Sequence, residues 1–264
     1  MARLYKFWRF WIRKTEQERS FIIATIGYTE ELLKRVNEQN LISIYIHGSF
    51  PRRDLRRGSD IDYVVITDDN VDLAKLKDLG KYFSNEYKRK LDVDINLNFY
   101  TITELRTGTF QHNNSFGRRL PPWKFIDHLS SSQIFYGQKL HENDFYQKKP
   151  DEKLKIAWEL AAKYLNESWG DKEVSRLVLV SKFVMELIYQ IENYRGSVRT
   201  KYIKKDLVKW FESNEDHIIH LLWQVIHNKE KYANKKERDR VFEKIRYFLK
   251  ETKAFCGCQD HPDP

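Results

Sequence analysis

The chain lacks features on which several classes of protein depend. Its 264 residues include only two cysteines, at positions 256 and 258, so disulfide bonds cannot hold the fold and a cytoplasmic location is expected. No apolar run is long enough to span a bilayer. Four basic residues between positions 6 and 14 interrupt the aromatic N-terminus, which argues against a secretion signal. No internal repeat or low-complexity tract is evident.

Positive charge is in excess. Lysine and arginine number 47 against 38 acidic residues, a net charge of +9. This balance favours polyanionic partners such as nucleotides, nucleic acid or an anionic surface. Because the charge is spread along the chain, general solubility remains an alternative explanation.

The stretch 45–66, YIHGSFPRRDLRRGSDIDYVVI, contains the strongest candidate site. Strand alternation places Asp60 and Asp62 on one face and Ile61 on the other. Two adjacent carboxylates repel each other, and a divalent cation relieves that repulsion. Oxygen ligands suit Mg²⁺, which proteins hold through one or two carboxylates and substrate phosphates. The pattern therefore predicts a magnesium site.

A phosphate site is predicted just before these carboxylates. Gly48 allows the backbone to approach a phosphate, and N–H groups at the start of a following helix are expected to bind the anion. The alternative is a hairpin with a charged edge, which needs neither the Gly-Ser pair nor two acids facing one way.

A third strand, which also contains acidic residues, is predicted at 91–99, LDVDINLNF. Alternation predicts Asp92, Asp94 and Asn96 on one face. A carboxylate on a neighbouring strand can join the metal or take the proton from an attacking hydroxyl. The alternative for Asp92 is a solvated strand end.

Gly48-Ser49, ten intervening residues and Asp60-Ile61-Asp62 together resemble the signature of DNA polymerase β-like nucleotidyltransferases. The resemblance implies one or two Mg²⁺ ions and a nucleoside triphosphate, ATP first, as substrate. The resemblance also implies that Asp60, Asp62 and Asp94 are metal ligands. Asp94 is in addition the expected proton acceptor, with Asp92 as the second choice. The residues expected to bind the nucleotide are Gly48, Ser49, Arg52 and Ser59. The alternatives to Arg52 are Arg53, Arg56 and Arg57, and a solvated basic loop is expected for at least two of these four arginines.

The predicted fold is α+β. A nucleotidyltransferase domain over residues 1–148 has a mixed sheet with flanking helices, and an α-helical bundle over 149–264 lines the acceptor cleft. Helices are expected at 15–39 and 71–90, and strands at 41–46, 60–66, 91–99 and 132–140. Long helices are expected at 151–169, 171–194, 200–232 and 235–255.

This order of parts resembles the kanamycin and the streptomycin/spectinomycin nucleotidyltransferases. The resemblance implies transfer of a nucleoside monophosphate to a hydroxyl of an aminoglycoside-like acceptor, with Glu159 as a further candidate base and Glu186 as a second option. Both could instead be ordinary helical glutamates. RNA or a protein partner remains an alternative target. The chain could form a homodimer. A first domain that binds nucleotides without catalysing a reaction is a further alternative.

The two chain ends carry weaker signals. The aromatic, basic segment 2–14 is expected to be a helix packed on its own domain, with a membrane or partner surface as the alternative. Cys256, Cys258 and His261 could bind zinc, but the tail has no second ligand pair.

Overall fold

The computed structural model of the chain describes residues 4–36, 40–56, 58–110, 120–197 and 204–264. They divide into two units, Met1–Gln147 and Lys148–Pro264. Each unit has its own hydrophobic core. The predicted α+β class, a mixed sheet with flanking helices and a helical C-terminal region, is confirmed.

Four strands form the sheet of the first unit, in the order β3-β2-β1-β4. They are β1 Leu41–His47, β2 Asp60–Thr67, β3 Asp94–Thr101 and β4 Gln133–Gly137. β1 pairs antiparallel with β2 and β4, whereas β2 and β3 run parallel. Parallel neighbours need a crossover connection, and the helix between β2 and β3 provides it.

Four helices flank this sheet: α1 Glu16–Arg35, α2 Leu73–Leu91, α3 Ile102–Thr107 and α4 Pro122–Asp127. α1 begins with a capping box, in which the Thr15 N–H donates to Glu18 Oε2 (2.8 Å) and the Glu18 N–H donates to Thr15 Oγ1 (3.1 Å). These reciprocal bonds satisfy backbone donors that a helix start otherwise leaves unpaired.

The sheet buries its two faces against different helices. On one side, which we call the α1–α2 face, Ile61 and Tyr63 of β2 pack with Phe21 and Tyr28 of α1 and Phe83 of α2. On the opposite side a second core joins strand residues to α3 and α4. Its main members are Tyr45, Val64, Ile66, Tyr100, Leu105, Phe125 and Ile126. This second core covers only part of its face, because Asp60 and Asp62 occupy the start of β2.

The N-terminal segment is not the helix that its sequence predicted. It contains one 3-10 turn, Phe7–Phe10, and is tied to β4 where the Tyr5 N–H donates to the Phe135 carbonyl (2.7 Å). Trp8 is buried, whereas Phe10 is exposed. The expectation that the segment packs on its own domain is confirmed for its inward side chains only.

The predicted start of the third strand is also wrong. α2 continues to Leu91, and β3 begins at Asp94. Asp92 lies between them with φ +54°, in the left-handed region. Lys88 in the last turn of α2 forms an ion pair with Asp92 (2.8 Å), which favours continuation of the helix over an earlier strand.

The second unit is helical, with α5 Pro150–Asn166, α6 Glu173–Tyr194, α7 Lys204–Trp210, α8 Ile218–His227 and α9 Lys235–Thr252. The buried Trp158 indole donates to the Leu249 carbonyl (2.8 Å), which joins α5 to α9. The long helix predicted over 200–232 is wrong, because α7 and α8 are separate. Ser213-Asn214-Glu215-Asp216 favours a turn, and the His217 side chain accepts the Ile219 N–H to begin α8.

In the described part of the chain, no helix has both the length and the apolar character needed to cross a membrane.

Candidate active site

The polar start of β2 lies on the face opposite α1 and α2. Ile61 and Tyr63 are fully buried in the α1–α2 core, so Asp60 and Asp62 project to the other side of the sheet. Both aspartates are partly exposed. We call this side of the sheet the aspartate face.

The parallel pairing of β2 with β3 extends the polar surface. Asp60 lies opposite Asp94, and Asp62 lies opposite Asn96. The Asn96 amide Nδ2 donates to Asp62 Oδ1 (3.0 Å), which fixes the orientation of that carboxylate. Three aspartates from two neighbouring strands therefore occupy one end of the aspartate face.

Gly48 is required by the position of Asp62. Its φ of +82° lies in the left-handed region, and a Cβ built there would lie 2.2 Å from Asp62 Oδ2. Any larger residue would both strain the backbone and displace the carboxylate. The Gly-Ser turn and the Asp-Ile-Asp motif are thus in direct steric contact.

A tight turn follows Gly48. The Arg53 N–H donates to the Phe50 carbonyl (3.0 Å) and the Asp54 N–H donates to the Ser49 carbonyl (2.9 Å). Residues 49–53 therefore form a turn rather than the start of a helix. Arg52 lies within this turn and is partly buried.

Ser59 closes the loop that leads back to β2. Its hydroxyl oxygen accepts the Arg56 N–H (2.8 Å), and its own N–H donates to the Arg56 carbonyl (2.9 Å). Arg56 also forms an ion pair with Asp54 (3.6 Å). The Arg53 guanidinium is bound to Glu18, and Arg57 lies outside the described residues.

Asp94 has a cationic partner that would compete with a metal ion. Its Oδ2 accepts a hydrogen bond from Lys88 Nζ (2.8 Å), and its side chain is half-exposed. Two hydrogen bonds raise the pKa of Lys88 to about 12, and the one to Asp92 contributes more than the one to Asp94. The ammonium group therefore stays charged and neutralises carboxylate charge at this point.

The donor chemistry of the trio suits Mg²⁺, since it consists of carboxylate oxygens on one face. Within the described ranges, however, no three His, Cys, Asp or Glu side chains are arranged to hold a metal ion. The Lys88–Asp94 pair explains part of why the three aspartates do not form a metal site, because the Asp94 carboxylate would have to leave the ammonium group to join a shared ion.

His47 is a site neighbour that the sequence marked only as structural. It ends β1 opposite Asp62, so its side chain lies on the aspartate face. Its Nδ1 is 3.0 Å from the Ser132 hydroxyl, and its ring lies 5.2 Å from that of His128. In the sequence, only its position next to Gly48 indicated that His47 lies near the site, because its pairing with Asp62 depends on strand register.

Glu159 belongs to the second unit. It lies in α5, and its Oε1 is 2.9 Å from His261 Nε2. Glu186 lies in α6 and is partly buried. Cys256 and Cys258 are buried free thiols, and burial raises the pKa of Cys256 to about 12. Among the residues that the structure describes, these two thiols do not belong to any group of three side chains arranged to hold a metal ion.

Comparison with known proteins agrees with the geometry of the first unit. Residues 30–114 match the family described as Polymerase beta, Nucleotidyltransferase. This region contains β1, β2 and β3 with all three aspartates. No curated protein sequence shows significant similarity to the chain.

Among solved structures, the chain is similar to spectinomycin adenyltransferase AAD(9) from Enterococcus faecialis, whose structure contains ATP and spectinomycin. The identity is 12%, the TM-score is 0.43, and the match covers 83% of this chain and 100% of that one. Likeness at this level does not identify a substrate. The family match carries the comparison: within the first unit, residues 30–114 are similar to nucleotidyltransferase domains of the polymerase β type.

Proposed function

We propose that the chain transfers a nucleoside monophosphate from a nucleoside triphosphate, ATP in the first instance, to a hydroxyl group of a small aminoglycoside-like acceptor. The observation that carries this proposal is the register of β2 and β3, with Asp60 opposite Asp94 on a face that Gly48 leaves open beside Asp62. The family match over residues 30–114 supports the reaction class.

The reaction is a substitution at the α-phosphorus. The acceptor oxygen bonds to that phosphorus, the bond to the oxygen bridging to the β-phosphorus breaks, and pyrophosphate leaves. The acceptor proton goes to a carboxylate, for which Asp94 is the first choice and Glu159 the second. Such transfer depends mainly on positioning and charge neutralisation.

In this proposal Asp60, Asp62 and Asp94 hold Mg²⁺, which when bound neutralises charge on the phosphates. Gly48, Ser49 and Ser59 line the phosphate site. Arg52 binds a phosphate oxygen, because a guanidinium can donate two parallel hydrogen bonds. To hold the ion, the Asp94 carboxylate would have to leave the Lys88 ammonium group, with which it forms a hydrogen bond.

The small-acceptor class rests on the sequence resemblance of the helical unit. The glutamates of α5 and α6 that could attract a cationic acceptor already have partners within their unit. They are Glu152 with the Lys149 N–H, Glu159 with His261, Glu167 with the Trp169 indole, Glu173 with Arg176, and Glu192 with Arg195. A cationic acceptor would have to compete with the charged partners among these, Arg176 and Arg195.

RNA is the second candidate acceptor, and the net charge of +9 is the observation that favours it. The chemistry would be unchanged, since a ribose hydroxyl replaces the antibiotic hydroxyl.

Incubation with Mg²⁺-ATP tests the proposal when it is run in parallel with kanamycin, streptomycin, spectinomycin and total RNA. Release of pyrophosphate together with a nucleotidylated acceptor, detected by mass spectrometry, is the expected result. The matched variants are Asp60→Asn, which should abolish transfer, and Asp78→Asn at an exposed position of α2, which should not. Adduct on RNA alone would overturn the small-acceptor class, and equal turnover by wild type and Asp60→Asn would overturn the enzymatic proposal.

A further inference from the structure

The turn of residues 49–53 is held from outside the sheet at two points. The first is Phe50, which is fully buried. Its ring centroid lies 5.3 Å from that of Phe21, 5.5 Å from Phe7 and 5.7 Å from Trp11. The aromatic N-terminal segment therefore packs directly on the middle of the turn that follows Gly48.

The second point is Arg53, at the end of the same turn. Its Nε donates to Glu18 Oε1 (2.7 Å) and its Nη2 donates to Glu18 Oε2 (3.2 Å), a two-point contact with one carboxylate. The guanidinium also lies over the Trp11 ring, 4.9 Å from its centroid. Arg53 has a φ of +57°, a strained conformation for a residue with a side chain, so its position depends on such contacts.

Glu18 is itself held in place by burial and by a hydrogen bond at the start of α1. It lies in the first turn of α1, is only 4% exposed, and its Oε2 also accepts the Thr15 N–H. The neighbouring Gln17 donates from Nε2 to the Arg56 carbonyl (2.9 Å), so the start of α1 holds a second point of the same loop.

The electrostatics agree with this geometry. The hydrogen bond from Arg53 is the main cause that lowers the pKa of Glu18 below its ordinary 4.5. A carboxyl group with a lowered pKa stabilises the folded state fully above its ordinary pKa, and that contribution is lost as pH falls through the folded value. At neutral pH Glu18 is therefore ionised and bound to Arg53.

We propose that Glu18 is a positioning residue for the phosphate-binding turn 48–53 and acts on it through Arg53. This inference rests on the proposed function and extends it to the N-terminal segment. Arg53 binds Glu18 and in this way holds the end of the turn. When Glu18 loses its charge, Arg53 is released and the turn relaxes, with Gly48 moving relative to Asp62.

Two measurements on the full chain separate this inference from the proposed function. The first is hydrogen exchange without nucleotide at the amides of Arg53 and Asp54, whose acceptors lie within the turn. The second is the affinity for a non-hydrolysable ATP analogue with Mg²⁺, measured by calorimetry. The variants are Glu18→Gln, Arg53→Gln and their double variant. Glu31→Gln is the control, since Glu31 lies on the same helix and pairs with Lys34 at the surface (2.8 Å).

Glu18→Gln should speed exchange at both amides and weaken analogue binding about tenfold, since hydrogen bonds to charged groups are worth roughly that much. The double variant should bind no more weakly than Arg53→Gln alone, because Glu18 acts through Arg53. Glu31→Gln should match wild type. If Glu18→Gln does not fold, Arg53→Lys replaces it, because a lysine keeps the charge but not the two-point contact.

Unchanged exchange in the Glu18 or Arg53 variant overturns the inference, whatever the nucleotide affinity. Faster exchange with unchanged affinity also overturns it, because the turn would then be held for stability alone. If the wild type itself binds no analogue, the proposed function fails, while the exchange data still decide whether Glu18 positions the turn.

Discussion

The two faces of β2 carry opposite kinds of side chain. On the α1–α2 face, Ile61 and Tyr63 are completely buried. The Tyr63 hydroxyl forms a hydrogen bond with Thr29, and its ring meets that of Tyr28 edge-on at 4.7 Å. Burial raises the pKa of Tyr63 well above its ordinary value, so this phenol stays neutral and serves packing.

On the aspartate face the same strand presents Asp60 and Asp62, partly exposed and next to the backbone of Gly48. Because alternation separates the faces, one strand can anchor the core and present reactive groups at once. Substitutions on one face should therefore change stability, and substitutions on the other should change chemistry.

The largest expected effect is on the aspartate face. Asp62→Asn keeps the side-chain shape and an oxygen for Asn96, but removes a charge beside the proposed metal. Transfer activity should fall by about 10³-fold, the range seen when one group that stabilises transition-state charge is removed. The midpoint of urea unfolding should stay close to wild type. Full activity in this variant would contradict the division of roles between the faces.

Ile61→Ala tests the opposite face. Removing a fully buried isoleucine should lower the free energy of unfolding by about 2–5 kcal/mol, the usual cost of such a truncation. Urea unfolding measures the loss. Tyr63→Phe is the milder companion, since it keeps the ring and loses the hydrogen bond to Thr29, for about 1 kcal/mol. An Ile61 variant as stable as wild type would show that this face is not the anchor.

Gly48→Ala tests the contact that joins the turn to β2. The left-handed backbone costs an alanine about 1–2 kcal/mol, and its Cβ would press on Asp62. Transfer activity should fall more than the stability loss explains. Activity assays and urea unfolding on the same preparation compare the two losses. Gly58→Ala is the matched control, with a φ of +78° but nothing within 4 Å of its added Cβ.

The smallest expected effect comes from Lys88→Met, which removes the competing partner of Asp94. Exposed ion pairs contribute little, so the Mg²⁺ concentration for half-maximal transfer should fall only modestly, by about fivefold at most. Titration of activity with Mg²⁺ measures this. Lys90→Met is the control, because Lys90 pairs instead with Glu86 on the same helix. An unchanged Mg²⁺ requirement in Lys88→Met would mean that Asp94 does not exchange partners.

The motifs and the fold class were predictable from local signals. Alternation around Asp60 and Asp62 is a property of a few consecutive residues, whereas the need for glycine at position 48 comes from its contact with Asp62. The end of α2 was not predictable, because Leu91, Asp92 and Val93 alternate like a strand while Lys88 holds Asp92 at the helix terminus.

Contacts between positions far apart in the chain were also not predictable from the sequence. The pairing of Asp60 with Asp94 depends on strand register, and Glu18 contacts Arg53 from 35 residues away. The sequence favoured Arg52 over the other three arginines of the loop through the family resemblance, but it gave no sign that Arg53 binds the buried carboxylate of Glu18.

The most direct test is a crystal structure of the chain with Mg²⁺ and a non-hydrolysable ATP analogue. We predict a cation about 2.0–2.1 Å from oxygens of Asp60 and Asp62. The triphosphate should lie against the turn of residues 48–53, and Asp94 should have left Lys88 for the ion. A nucleotide bound elsewhere, or aspartates too far apart to share a cation, would contradict the account.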